Sequence, residues 1–176
     1  VNMSTSEFTI RNAKPEEYQY IGALMVKVYS ALDGFPKPHQ HPKYYEMLAN
    51  VGELTHKPGT EILVAVTSDA AIAGAVVYFS DMQYYGSKGT ATQEKNAAGF
   101  RLLAVDDKYR GKGIGKALTL ICLEKARNQK QKQLIIHTTN AMKPAWHMYE
   151  TIGFKRSEDL DFTHDDLDVF GFRFKL

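Results

Sequence analysis

The chain has a single cysteine, Cys122. No disulfide can form within it, and a lone thiol suits a reducing compartment, so a cytoplasmic location is expected. No apolar run approaches the roughly 18 residues that a membrane-spanning helix needs, so no membrane partner is expected. Neither sign of charge prevails: 22 Lys and Arg stand against 20 Asp and Glu, a net charge of +2. That balance is too slight to argue for a nucleic acid or an anionic surface as partner. The N-terminal residues Val1-Asn-Met-Ser-Thr-Ser-Glu lack the basic start and apolar stretch of a secretory signal, and none is expected. Val1 and Asn2 read as a cloning remnant ahead of Met3. Of only 6 prolines, three (Pro36, Pro38 and Pro42) crowd one stretch, which reads as a loop. No internal repeat or low-complexity run stands out. With 44% hydrophobic and 24% charged residues, the composition is that of a globular protein, and residues 3–176 read as a single domain.

The most informative segment is Val105-Asp-Asp-Lys-Tyr-Arg-Gly-Lys-Gly-Ile-Gly-Lys116. Apolar residues precede it, from Phe100 to Val105. Behind it Ile114, Ala117, Leu118, Ile121 and Cys122 recur at helical spacing, so the segment reads as strand, turn and helix. Such a turn aims free backbone N–H groups and the positive end of a helix at one point, an anion site. Lys108, Arg110, Lys112 and Lys116 add positive charge. The ligand implied bears phosphate. Spacing excludes a P-loop, because no glycine pair is set to be followed by Lys and a hydroxyl. It also excludes a dinucleotide fingerprint, because the third glycine comes one position early and no acidic residue stands where the ribose partner should be.

What remains, Arg110-Gly-Lys-Gly-Ile-Gly115, resembles the acetyl-coenzyme A loop of the GNAT superfamily of N-acetyltransferases, R/Q-x-x-G-x-G/A, with Arg110, Gly113 and Gly115 in the three places. About 35 residues on, Ala145-Trp-His-Met-Tyr-Glu-Thr-Ile-Gly-Phe154 resembles that family's A-x-x-x-Y-x-x-x-G-F signature. The resemblance covers roughly residues 60–157. It implies a mixed α/β fold, a sheet flanked by helices, and acetyl-coenzyme A as cosubstrate. It implies that Leu103, Ala104 and Val105 supply backbone hydrogen bonds to the pantetheine arm, and that Gly111, Lys112, Gly113, Ile114, Gly115 and Lys116, with Arg110, hold the pyrophosphate. Asn140 matches a position that often contacts the coenzyme; a turn or cap role is the alternative.

Acetyl transfer to an amine needs a base, an oxyanion donor and an acid for the departing thiolate. Tyr149 matches the signature tyrosine and is the acid candidate; a packed core tyrosine is the alternative. Glu94, just ahead of the strand that precedes the loop, is the candidate base, with Asp81 and His137 behind it; each also reads as an ordinary loop or sheet residue. Arg101, inside the strand, either faces an acceptor groove or solvent. Cys122 falls on the apolar face of its helix and reads as core, which favours direct attack in a ternary complex over a covalent acyl-cysteine. Trp146 reads as packing. His39 and His41 have no metal ligand at a useful spacing, and no metal site is expected. Residues 158–168 hold six carboxylates and no Lys or Arg; they read as a solvated loop, or as a lip attracting a cationic amine. Tyr44, Tyr45, Tyr84 and Tyr85 either line an aromatic wall or pack.

The acceptor is not written in any motif. A small-molecule amine is expected, since no strong surface charge points to a macromolecule. Protein or peptide amines, a non-catalytic acyl-coenzyme A sensor and a homodimeric state stay open.

Overall fold

The computed structural model describes residues 3–4 and 8–176. Its spine is one mixed sheet. β1 (Met3–Ser4), β2 (Phe8–Asn12), β3 (Thr60–Thr67), β4 (Ile72–Phe79) and β5 (Ala97–Val105) succeed one another as antiparallel neighbours. β5 then pairs in parallel with β6 (Gln133–Thr138). β6 pairs antiparallel with the last strand, β9 (Leu167–Lys175), which also carries β7 (Lys155–Arg156) and β8 (Phe162–His164). Four α-helices are described: α1 (Tyr18–Ser30), α2 (Pro42–Ala49), α3 (Ile114–Asn128) and α4 (Lys143–Ile152).

The period-two alternation of β3 sends its side chains to two cores. Ile62 and Val64 face α1 and α2, burying Ile21, Leu24, Met25 and Leu48. Leu63 and Ala65 face α3 and α4, burying Leu118, Ile121, Cys122 and Tyr149. β4 lies between the two layers and is buried at every residue, which is why its sequence, Ile-Ala-Gly-Ala-Val-Val-Tyr-Phe, is an unbroken apolar run.

One stretch departs from its sequence reading. Residues 158–168 are not a free acidic loop: a 3-10 turn at Glu158–Leu160 leads into β8, which folds back on β9. Leu160 is fully buried, and two of the six carboxylates, Asp159 and Asp161, pair with arginines elsewhere in the chain. Asp161 pairs with Arg156 at 2.8 Å and accepts from the Gly171 N–H at 2.7 Å, while Asp159 pairs with Arg173. β8 is three residues long, too short for alternation to reveal it.

Two irregularities open the sheet. β5 and β6 pair only through Ala97, Ala98 and Gly99 against Gln133, Leu134 and Ile135. Beyond Gly99, β5 stays with β4 while β6 stays with β9, so the strands part. On the other side of β5 the register shifts between Ala75 and Val77, and Leu102 takes a positive φ of 63°; this is a β-bulge that turns the strand locally. Gly99, at the fork, is glycine for space. A Cβ there would lie 2.9 Å from the Ile135 carbonyl oxygen and 2.8 Å from the Tyr85 ring. Gly99→Ala should therefore destabilise the fold by about 1–3 kcal/mol through overpacking. Urea unfolding should show a lower midpoint at unchanged slope; an unaltered midpoint would mean the fork has slack that these distances deny.

Candidate active site

The turn before α3 is built as its glycines require. Gly111 and Gly113 both have φ of +79°, and Gly113 is the N-cap residue of α3. Having no side chain, Gly113 cannot cap the helix, and no acidic residue stands in the first turn. The first N–H groups of α3 are thus left without intrahelical partners. A Cβ at Gly111 or Gly113 would meet nothing within 4 Å, so the space above the turn is open. Asp106 holds the approach to the turn: its buried carboxylate accepts from the Lys108 N–H at 3.1 Å and lies 3.6 Å from Lys27. Gly115 is different. It sits in the helix with no positive φ, and a Cβ there would make ordinary contacts of 3.8–3.9 Å with Met148, Val105 and Leu103. The fold does not need glycine at 115, which points to something else occupying the space beyond.

That space is a cavity of about 710 Å3 that fills the parting of β5 and β6, within the range of small-molecule sites. Its wall includes Arg110 and Gly115 from the turn, Leu103 and Val105 from β5, and Met148 and Tyr149 from α4. Ala104 alternates away, buried against the core beside α1 and α2. The Leu103 carbonyl, beside the bulge, accepts a hydrogen bond from the Tyr29 hydroxyl at 2.8 Å. Two buried hydroxyls on the wall, Ser87 Oγ and Thr138 Oγ1, have no partner, an unusual state for buried polar atoms.

Tyr149 is 5% exposed and lies against Phe100 and Phe154. Burial pushes its phenol well above the usual tyrosine value, so it stays protonated, and among the described residues its hydroxyl has no hydrogen-bond partner. His137 also reaches the cavity, but both its nitrogens are occupied. The Leu160 carbonyl can only accept, so Nε2 carries the proton across 2.8 Å; Nδ1 then accepts from the Tyr85 hydroxyl at 2.9 Å. Burial lowers the His137 pKa. Arg101 lines the cavity with its guanidinium donating to the Tyr85 carbonyl at 3.0 Å.

The remaining candidates lie elsewhere. Glu94 is not on the cavity wall; it ends a short turn ahead of β5, ion-paired with Arg173 and accepting from Gln133 at 3.4 Å. Asp81 caps an earlier turn, Met82–Tyr84, accepting from the Gln83 N–H at 3.1 Å. Cys122 is fully buried in the core, and burial raises its thiol pKa strongly. Asn140 is exposed, between Thr139 and Ala141 of the wall; Lys112, Gly113 and Lys116 are exposed around the turn, and Ile114 is buried beneath it. The sequence reading did not single out Tyr29, Lys57 or Lys88 on this wall. No local signal marks them: Tyr29 is one apolar position among several in α1, and the lysines are two among many.

An uncapped helix N-terminus that opens into an apolar cleft between parting strands, with a protonated phenol on its wall, suits an acyltransferase that draws on a coenzyme A thioester. The family model described as "Acetyltransferase (GNAT) family" matches residues 25–154, and the chain belongs to that family. The family generally uses acetyl-coenzyme A as cosubstrate, and the open turn, the dispensable glycine at 115 and the two orphan hydroxyls fit such a ligand. Human N-acetyltransferase 8B is 38% identical over 55 residues, 31% of this chain and 24% of its own length. N-acetylaspartate synthetase of Xenopus tropicalis is 40% identical over 63 residues, 36% of this chain and 23% of its own length. The chain thus spans about a quarter of the length of the curated relatives it matches. Among solved structures, a GNAT-family acetyltransferase of Staphylococcus aureus superposes with a TM-score of 0.74 at 17% identity, covering 96% of this chain and 99% of that one. That likeness is one of fold.

Gly115 allows a graded test. Gly115→Ala should fold and, with a better helix former, gain up to about 1 kcal/mol. Gly115→Val should also fold, but its methyls would occupy the cavity beside the turn. Coenzyme A at about 100 times its dissociation constant should stabilise the parent by roughly 2.7 kcal/mol. In thermal-shift titrations the parent and Gly115→Ala should respond, and Gly115→Val should not.

Proposed function

We propose that the protein transfers an acetyl group from acetyl-coenzyme A to the primary amine of a small molecule that carries a carboxylate, by direct attack in a ternary complex. The observation that carries the acceptor class is the charge of the cavity wall. Lys57, Lys88, Arg101 and Arg110 lie on it, and no Asp or Glu does. With Arg110 beside the pyrophosphate turn, three cations remain for the acceptor. A polycationic amine would meet cations and no carboxylate on that wall, with Asp165 at the rim already paired to His41, while a carboxylate would find partners. The kinship with a protein named N-acetylaspartate synthetase supports the same class, since that named product is an acetylated amine bearing carboxylates.

When bound, acetyl-coenzyme A supplies an acyl group activated as a thioester. Arg110 and the N–H groups opening α3 hold its phosphates, and Leu103 and Val105 flank its arm. Tyr149 donates its proton toward the departing sulfur as the carbon–sulfur bond breaks and the carbon–nitrogen bond forms. No carboxylate on the wall can take the proton of the amine, and both His137 nitrogens are engaged. The amine therefore sheds its proton to water, helped by an apolar cavity that disfavours the charged form. Cys122, buried and off the wall, takes no acyl group.

Two measurements test this. Release of free thiol from acetyl-coenzyme A should be fastest with acidic and other carboxylate-bearing amines, and slow with polyamines and peptide N-termini. Lys57→Gln and Lys88→Gln should raise KM for that acceptor severalfold with little change in kcat. A polyamine or peptide as the best acceptor would overturn the acceptor class. Tyr149→Phe should lower kcat by about 10²–10⁴-fold, the usual worth of a positioned acid, and leave coenzyme affinity nearly unchanged, since the interaction develops only in the transition state. Normal turnover in that variant would reduce Tyr149 to a packing role.

A further inference from the structure

The proline-bearing loop and the β8–β9 hairpin meet at the rim of the cavity, and the side chains that meet there are metal ligands. His41 Nε2 lies 2.6 Å from an Asp165 carboxylate oxygen, and His164 Nε2 lies 3.9 Å from that same oxygen. The two imidazole rings stand 4.5 Å apart between centroids, tilted by 39°. One ligand atom from each of the three residues falls within 4.8 Å of the others. Around a tetrahedral metal with bonds of about 2.0–2.2 Å, ligand atoms sit about 3.3–3.6 Å apart, so small side-chain rotations would close the set. We propose that His41, His164 and Asp165 bind one divalent transition metal of the zinc class at this rim, leaving further coordination positions open.

The His41–Asp165 hydrogen bond alone does not account for His164. Nothing about that bond requires a second imidazole beside the first, with its own Nε2 turned toward the same oxygen. Two imidazoles and one carboxylate form a donor set that suits zinc, cobalt, nickel or copper better than magnesium or calcium. Lys88 acts electrostatically on both His164 and Asp165. Lys88 is the nearby cation that works against metal affinity, and it points to a modest site rather than a permanent one. The sequence reading gave His41 no partner because the partner is 124 residues away. His41 and His164 both lie on the cavity wall, so a bound metal would clasp the loop to the hairpin over the acceptor end. This rests on the rim geometry alone and stands whether or not the acceptor carries a carboxylate.

The test is a calorimetric titration of the chelator-treated, dialysed protein with zinc chloride, repeated by absorbance with cobalt(II). The parent should bind one zinc per chain, and cobalt should give visible bands of low-symmetry coordination. His41→Ala, His164→Ala and Asp165→Asn should each weaken zinc binding at least tenfold, on the scale of about 10–100-fold that even supporting residues of a metal site are worth. His147→Ala, on α4 and away from the rim, should leave it unchanged. Zinc should raise the melting temperature of the parent and not of the three variants, by mass action. Asp165 is 72% exposed, so Asp165→Asn keeps the fold and the test stands even where a histidine variant does not. Absence of one-to-one zinc binding by the parent, or equal affinity in Asp165→Asn, would overturn the proposal.

Discussion

The brevity of the β5–β6 pairing is the constraint on which the rest of the site depends. Three residues on each strand hold the two halves of the sheet together, and Gly99 lets them approach closely enough to do so. Past that point each strand follows its other neighbour. A parting of this kind would ordinarily leave backbone groups without partners inside the protein, at a cost comparable to a lost hydrogen bond for each. The chain meets part of that demand itself, with the Tyr29 hydroxyl on the Leu103 carbonyl. Separately, two side-chain hydroxyls on the wall, Thr138 Oγ1 and Ser87 Oγ, have no partner. Unmet polar groups in a buried wall are what a ligand with its own amides and carbonyls can satisfy.

The cavity then divides by chemistry along its wall. At the turn stand Arg110 and the positive end of α3. The middle is apolar, framed by Leu103, Val105, Met148 and Phe100, and Tyr149 stands there with its proton held by burial. At the rim stand His41 and His164, with Lys88 acting on His164, and Lys57 also lies on the wall. The positioning of Tyr149 is tied to the fork as well. Phe100, one residue past Gly99, packs against the Tyr149 ring at a centroid distance of 5.9 Å, so a shift at the fork would move the phenol.

What the sequence made legible was local. The turn at 111–115 and the helix behind it declare themselves through glycine spacing and helical periodicity within a dozen residues, and Tyr149 lies in a motif of similar span. The mixed α/β fold is what the resemblance carried by these two motifs implies. Glu94, the base candidate, shows what nearness in sequence leaves open. It is close in sequence to β5, but a strand advances about 3.3 Å per residue, so residue 94 and the bulge at 102 stand near opposite ends of it. Its partner, Arg173, is 79 residues away. The same holds for the His137–Tyr85 hydrogen bond, across 52 residues, and for Tyr29 and Leu103, across 74. Contacts between distant segments carry no period and no spacing. They are set by which loops the sheet brings to one end, and a single sequence does not record that.

The topology explains why the glycine turn and the cleft coincide. β5 and β6 are parallel, and parallel neighbours need a crossover that returns the chain to the starting edge. Here α3 is that crossover. A helix that follows a strand and runs back along it must begin at the strand's C-terminal end, so the N-terminus of α3 lies where β5 finishes. The strands are joined at their N-terminal ends, through Ala97–Gly99 and Gln133–Ile135, and so can open only toward their C-terminal ends. Positive helix terminus and open cleft are thus forced to the same end of the sheet, where open α/β sheets place their ligands. α4 follows β6 by the same rule, which sets Tyr149 against the fork rather than across the molecule. The residues supply the chemistry, and one parallel pairing in a largely antiparallel sheet determines that they supply it in one place.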